Sequence, residues 1–352
     1  MNHNGLEEPK YIVTIGASAG GLHSVIELMA GLTEETDAAV FVVLHTPNIA
    51  FGDLVIQRLQ KNTVFTCKVA EHEEAIQKKH LYLAAPDKHL IVKRGRILLG
   101  EGATENRWRP SIDVLFRSAA VAYDGRAIGV VLTGMLEDGT AGMEFIKQCG
   151  GTCIVQDPNE AEYPDMPLSV LKHVEVDYCT TLQKISTILD EKSKNGIYEK
   201  HLIPPEIAAE AEIAERVAIG IENVRALGEK SYYTCPDCGG GLWEIRQGKI
   251  IRYRCHTGHM YTATELLVRQ NQELENTFWI AMRMMEERKN LIDKLAEEEE
   301  SKGWMRSATI KRQRAEELKV HIERIKQILF DSTKNEERIM DPFPDELMRL
   351  GK

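Results

Sequence analysis

The chain has 352 residues, with 44 lysines and arginines against 54 aspartates and glutamates, and a formal net charge of −10. That balance argues against a nucleic-acid binder. No apolar run reaches the roughly 18 residues of a membrane span, and the amino terminus lacks a charged-then-apolar signal layout, so a cytoplasmic protein of two or more domains, with no membrane insertion, is expected.

Residues 1–8 are mostly polar and are expected to be disordered. The first element is the apolar, β-branched run Tyr11-Ile12-Val13-Thr14-Ile15, a buried strand, followed by Gly16-Ala17-Ser18-Ala19-Gly20-Gly21 and a helix-like stretch over residues 22–32. A strand, a glycine-rich turn and a helix place Ser18 at the carboxyl end of the strand, where open α/β sheets keep their chemistry. Such a turn serves either an activated nucleophile or a phosphate cradle. The cradle reading is weak: no Lys-Ser/Thr pair follows the glycines, and the spacing is not Gly-x-Gly-x-x-Gly.

The second strand, residues 38–44, closes on His45-Thr46-Pro47 rather than on the acidic residue that a ribose would need. A histidine at one strand end beside a serine at another is a nucleophile–base arrangement; the alternative is a histidine that merely caps a strand. A third buried strand, residues 127–132, runs into Thr133-Gly134-Met135-Leu136-Glu137-Asp138-Gly139. Acidic residues in such loops are commonly turn formers. The coincidence of Ser, His and Asp at three strand ends favours Asp138 as the group that fixes the histidine tautomer. An α/β-hydrolase order, Ser18 with Asp138 or Asp157 and then His173, also fits the residues, but only one strand precedes Ser18. The cysteines of this half (Cys67, Cys149, Cys153, Cys179) read as reduced, mostly buried side chains.

These segments, with Ala84-Ala85-Pro86-Asp87-Lys88-His89 and Asn106-Arg107-Trp108-Arg109-Pro110-Ser111-Ile112-Asp113, occur in an order that resembles the catalytic domain of CheB-type protein-glutamate methylesterases. The resemblance covers about residues 9–190. It implies an α/β fold with a doubly wound, mostly parallel sheet. It also implies hydrolysis of glutamyl methyl esters, and often glutamine deamidation, on chemoreceptor helices. Carried over, it makes Ser18 the nucleophile, His45 the base and Asp138 its orienting partner, with the backbone N–H groups of Ala19 and Met135 as the oxyanion hole and no cofactor for catalysis. Ala19 stands where the family commonly has threonine, Thr46 where methionine is frequent, and Trp108 where a smaller polar ring is frequent. Arg107 and Arg109 are expected to meet an acidic receptor helix; the alternative is solvated loop charge. The receiver domain of well-known members has no place before residue 11, so gating by phosphorylation in cis is not expected, and a partner response regulator would act in trans.

Residues 191–230 read as a helical linker, with a helix starting near Pro204-Pro205 and running over residues 206–227. Residues 231–261 read as a zinc-ribbon-like module: Cys235-Pro236-Asp237-Cys238, strands over residues 242–246 and 250–254 joined at Gln247-Gly248-Lys249, then Cys255-His256-Thr257-Gly258-His259. Cys235, Cys238 and Cys255 are the expected ligands of a structural zinc, with His259 or His256 as the fourth and His259 preferred. In the carboxyl-terminal region, residues 262–352, two charged helices over residues 262–300 and 306–330 form a helical hairpin broken at Ser301-Lys302-Gly303. Their thin apolar stripe fits self-packing, a homodimer or a receptor-like helix.

Overall fold

A computed structural model describes residues 8–45, 52–195, 198–213, 224–246 and 248–339. Of the tail expected to be disordered, residues 1–7 lie outside the described residues, as does Thr46, whereas Glu8 is placed and pairs with Arg94 at 3.0 Å and Arg126 at 3.3 Å. The chain divides into two compact units, Met1–Leu266 and Leu267–Lys352.

The first unit opens with β1 (Tyr11–Ala17), α1 (Gly21–Ala30), β2 (Ala38–Leu44), α2 (Gly52–Gln60), β3 (Thr66–Val69) and β4 (His80–Leu83). A separate antiparallel hairpin, β5 (His89–Lys93) with β6 (Arg96–Gly100), precedes α3 (Ile112–Tyr123). Then come β7 (Ala127–Val131), α4 (Thr140–Gln148), β8 (Thr152–Gln156), α5 (Asp165–His173), β9 (Tyr178–Thr180) and α6 (Leu182–Asn195). Seven strands form one sheet in the order β3-β4-β2-β1-β7-β8-β9, every pairing parallel.

The sheet is covered on both faces, which is why its strands are continuously apolar. Ile12, Phe41, Val43 and Val131 pack into one core with Phe116 of α3 and Met143 of α4. Val13, Ile15, Val40, Val42 and Val130 point the other way, against Val25 and Leu28 of α1 and Ile185 of α6. This two-residue alternation is the pleat of the strand. β1 lies between β2 and β7, so chain direction across the sheet reverses on either side of it. Such a switch point opens a crevice at the carboxyl ends of the strands.

After α6 the expected linker helix begins as α7 (Pro205–Ile213), while residues 214–223 lie outside the described residues. This segment is part of the first unit: Ile207 is buried in the sheet core and Glu210 is buried beside Arg117 of α3. The cysteine-bearing segment forms four antiparallel strands rather than the expected two, β10 (Glu229–Thr234), β11 (Gly241–Ile245), β12 (Arg252–Cys255) and β13 (Met260–Thr262), paired in sequence order. The turn before β12 is longer than expected, because the Lys249 N–H donates to Glu144 on α4 at 2.6 Å and draws the chain onto the larger sheet's helices.

Two long helices end the described chain, α8 (Ala263–Ser301) and α9 (Met305–Ile339), separated near Gly303, whose φ is +80°. Within the second unit they are tied across the turn by Lys311–Glu299 and Arg312–Glu300 pairs, and Ala296, Ala308 and Ala315 are buried. Met284 and Leu291, apolar residues of α8, are exposed. No described helix is long and apolar enough to cross a membrane.

Candidate active site

The carboxyl ends of β1, β2 and β7 meet at the switch point. Ala17 pairs with Leu44 in the β1–β2 register, so Ser18 and His45 are the next residues along two neighbouring strands. The His45 N–H continues the ladder by donating to the Ala17 carbonyl at 3.0 Å. Ser18 is half-buried; its N–H donates to the Thr133 carbonyl at 3.1 Å, and its carbonyl accepts from Gly21 at 2.9 Å. Gly20, at φ +72°, turns the chain into α1 in a conformation that disfavours a side chain.

The His45 ring is buried, stacked on Trp108 with centroids 4.0 Å apart and an interplanar angle of 11°. Its Nε2 lies 3.2 Å from Asp138 Oδ2. Nε2 is the ring nitrogen nearest the carboxylate, although the approach lacks hydrogen-bond geometry, and Nδ1 is the other ring nitrogen.

Asp138 is held in a cage of donors. Oδ2 accepts from the Ile112 N–H at 2.7 Å; Oδ1 accepts from Ser111 Oγ at 2.9 Å, Asn106 Nδ2 at 3.1 Å and the Asp113 N–H at 3.3 Å. Two of these donors are first-turn amides of α3, whose amino-terminal end favours an anion. Ser111, the usual residue type for capping that helix, turns its hydroxyl to Asp138 instead. Burial pushes the Asp138 carboxyl up, but the His45 ring, the Ile112 N–H and the Asn106 amide more than offset this and leave it below the ordinary value. Asp113, beside it, is raised well above the ordinary value by burial and by the Asp138 charge. Glu137 is engaged elsewhere, accepting from Thr262 Oγ1 at 2.8 Å. His173, the alternative histidine, bonds the Ser169 carbonyl at 2.9 Å.

Among the described residues neither the Ala19 nor the Met135 N–H has an acceptor. The loop that carries Met135 is fixed by Thr133 Oγ1 donating to the Ala19 carbonyl at 3.1 Å, by the Tyr163 N–H donating to Thr133 Oγ1 at 2.8 Å, and by the Gly134 N–H donating to the Tyr163 carbonyl at 2.9 Å. Leu136 sits at φ +68°, strained backbone of the kind found at functional loops.

Both arginines expected to face a substrate have internal partners. Arg107 Nε lies 3.0 Å from Glu265 Oε2, and Glu265 is buried at the start of α8. Arg109 holds Asp87 at 2.7 Å and the Gly102 carbonyl at 2.8 Å. A ligand on this face therefore meets paired guanidiniums rather than free ones.

Asn106 was not singled out in the sequence, although the motif that contains it was. It is fully buried, and its amide spans Asp113 and Asp138. The only local signal was its place next to the Arg-Trp-Arg segment.

In the four-stranded sheet, one ligand atom each from Cys235, Cys238, Cys255 and His259 lies within 4.8 Å of every other, a group able to hold a metal ion. Hydrogen bonds from Cys255, then His259 and Tyr261, draw the Cys235 thiol well below its ordinary value. His256 lies against Gly240, outside this group.

Comparison with known proteins places the chain among relatives of one kind. The family model described as CheB methylesterase matches residues 13–189. A Leptospira interrogans chain named as a candidate protein-glutamate methylesterase/protein-glutamine glutaminase is 33% identical over 189 residues, covering 53% of this chain and 97% of that one. The protein-glutamate methylesterase/protein-glutamine glutaminase of Sulfurimonas denitrificans is 36% identical over 189 residues, with about half of each chain covered (51% and 53%). Among solved structures, the catalytic domain of Thermotoga maritima CheB methylesterase matches with a TM-score of 0.50 and 33% identity, covering 52% of this chain and 99% of that one.

Proposed function

Because the chain belongs to the CheB methylesterase family, we propose that it hydrolyses glutamyl methyl esters on receptor-like helices through Ser18, His45 and Asp138. The observation that carries this reading is the meeting of three strand ends at the switch point, with His45 held between Trp108 and Asp138. His45 Nδ1 takes the Ser18 proton as Oγ attacks the ester carbonyl. The N–H groups of Ala19 and Met135 hold the oxyanion, a contribution of about 3–4 kcal/mol per preorganised donor. Methanol departs with the proton from His45. Water, activated by the same ring, then releases the glutamate carboxylate and restores Ser18. With a glutamine side chain the same steps release ammonia, which makes deamidation the second activity of the site.

The donor set of the four-stranded sheet supports a structural zinc. A tetrahedron with Zn–S near 2.3 Å and Zn–N near 2.0 Å has S–S edges of about 3.8 Å and S–N edges of about 3.5 Å. Cys238 and Cys255 sulfurs lie 3.8 Å apart, and His259 Nδ1 lies 3.6 Å from Cys235 and 3.5 Å from Cys255. Zinc would be held by these four residues and would contribute folding energy rather than catalysis. The exposed Trp279, Ile280 and Met284 of α8 favour a second copy or a receptor-like helix as partner over solvent alone, and a response regulator would act in trans.

The test is direct. A receptor-helix peptide carrying a glutamyl methyl ester is expected to lose its methyl group on incubation with the protein, and a serine-reactive fluorophosphonate to label Ser18. A protein that labels at another serine, or demethylates with Ser18 absent, removes the assignment.

A further inference from the structure

The catalytic loop and the metal-binding sheet are joined by a short path through one amide. Asn106 Nδ2 donates to Asp113 Oδ2 at 2.7 Å and to Asp138 Oδ1 at 3.1 Å. Its Oδ1 accepts from the Thr262 N–H, on β13, at 3.2 Å. The orientation of the amide matters: a flip would turn its oxygen towards the ionised Asp138 carboxylate. Only a donor on the far side keeps the NH2 facing that carboxylate, and Thr262 supplies one.

β13 is held against this loop by further bonds. The Asn106 N–H donates to the Met260 carbonyl at 2.8 Å, and the Met260 N–H donates to Thr104 at 3.3 Å. Thr262 Oγ1 reaches Glu137, the neighbour of Asp138, at 2.8 Å. β13 starts one residue after His259 and pairs with β12, which ends at Cys255. Two members of the metal-binding group therefore bracket the turn that delivers Thr262 to Asn106.

Resting on the reading of the triad and of the metal group above, we infer that Asn106 is a positioning residue for Asp138, locked by Thr262, and that metal loading of the four-stranded sheet sets the geometry of the catalytic carboxylate. The Asn106 NH2 bridges the Asp113 carboxyl to Asp138 Oδ1, which it shares with Ser111 Oγ and the Asp113 N–H, while Oδ2 faces His45 and accepts from the Ile112 N–H. A metal at Cys235, Cys238, Cys255 and His259 fixes the turn over residues 255–259 and, through it, the register of β13. The module is part of the enzyme's working geometry and not an appended domain.

The experiment uses the full chain, zinc-loaded or stripped with a chelator, as wild type and as Asn106→Ala and Asn106→Ser. Competent sites are counted by fluorophosphonate labelling, and methanol release from a methylated receptor fragment is expressed per labelled site. Asn106→Ala is expected to lower kcat about 10- to 100-fold with KM unchanged, and to move the acid limb of the kcat–pH profile upward, since Asp138 loses a donor. Asn106→Ser, which keeps a small hydroxyl donor and so provides folded protein, is expected to recover part of the loss. Stripping zinc is expected to lower kcat per site in the wild type and to add little in Asn106→Ala, because the two act along one path. An unchanged kcat per site in both variants, or losses from zinc removal and substitution that multiply independently, would overturn the inference. A zinc-loaded wild type that neither labels at Ser18 nor releases methanol would instead overturn the functional reading on which it rests.

Discussion

At the residue scale two buried carboxylates, Asp138 and Glu265, are shifted in opposite directions. Asp138 is kept ionised by the His45 ring and by backbone and side-chain donors, against the pull of burial. Replacing it by Asn keeps the volume but removes the charge proposed to orient His45. Asp138→Asn is expected to lower kcat by about 10³–10⁴-fold with the fold retained; a loss under about tenfold in a steady-state assay would contradict its role. Glu265 goes the other way. Burial, with the Asp138 and Glu137 charges, raises it to about 7 despite Arg107 beside it. The unfolded chain releases this proton near the ordinary 4.5. Between those values the native state binds the extra proton, so stability falls as pH rises from about 4.5 to about 7 and stays lower above it. The span corresponds to about 3 kcal/mol. Urea midpoints taken across this window are expected to decline in the wild type and to decline less in Glu265→Gln; parallel slopes would contradict the assignment.

At the scale of elements, the strand-end placement of Ser18, His45 and Asp138 was legible because each follows an apolar run whose two-residue alternation the structure keeps. Asn106 and Thr262 were not legible: 156 residues separate them, and no local pattern reports a bond over that distance. The start of β12 was misread for a similar reason, since its turn is set by Glu144, 105 residues before Lys249. The loop after β7 shows how tightly these elements meet. A Cβ on Gly134 would lie 2.1 Å from Met166 Sδ and 2.9 Å from Ser18 Cβ. Met166 is buried in the core, and Ser18 Cβ moves only with its backbone. Gly134→Ala is expected to cost about 1–3 kcal/mol of stability, and to lower kcat by a larger factor than that destabilisation explains, because the shifted loop carries the Met135 N–H. Thermal melts paired with rates per labelled site would separate the two effects; a stability loss with normal kcat would argue against Met135 as a donor.

Across the whole first unit, a buried charge network joins the seven-stranded sheet's helices to the four-stranded sheet that carries the Cys3His group. Glu105 bonds Arg117 of α3 at 2.9 Å and Arg254 of β12 at 2.8 Å, while Glu210 of α7 pairs with Arg252 and lies 3.6 Å from Arg117 and Arg254. Burial alone would push Glu105 up, yet the Arg117 and Arg254 guanidiniums hold it down at about 2. Composition foretold acidic excess but not that these charges would be interior. Glu105→Gln leaves three buried guanidiniums facing one carboxylate and is expected to cost about 3–5 kcal/mol, read as a lower urea midpoint for the first unit. A change within experimental scatter would mean that the network contributes nothing to holding the two sheets together.

Methanol release from a methylated receptor fragment, with the zinc-loaded protein set beside Ser18→Ala, tests whether Ser18 is the nucleophile of a methylesterase. Release by the intact protein and a loss of at least about 10⁴-fold in the variant are expected. Equal release by both, or none by the intact protein on any glutamyl methyl ester offered, would contradict that assignment.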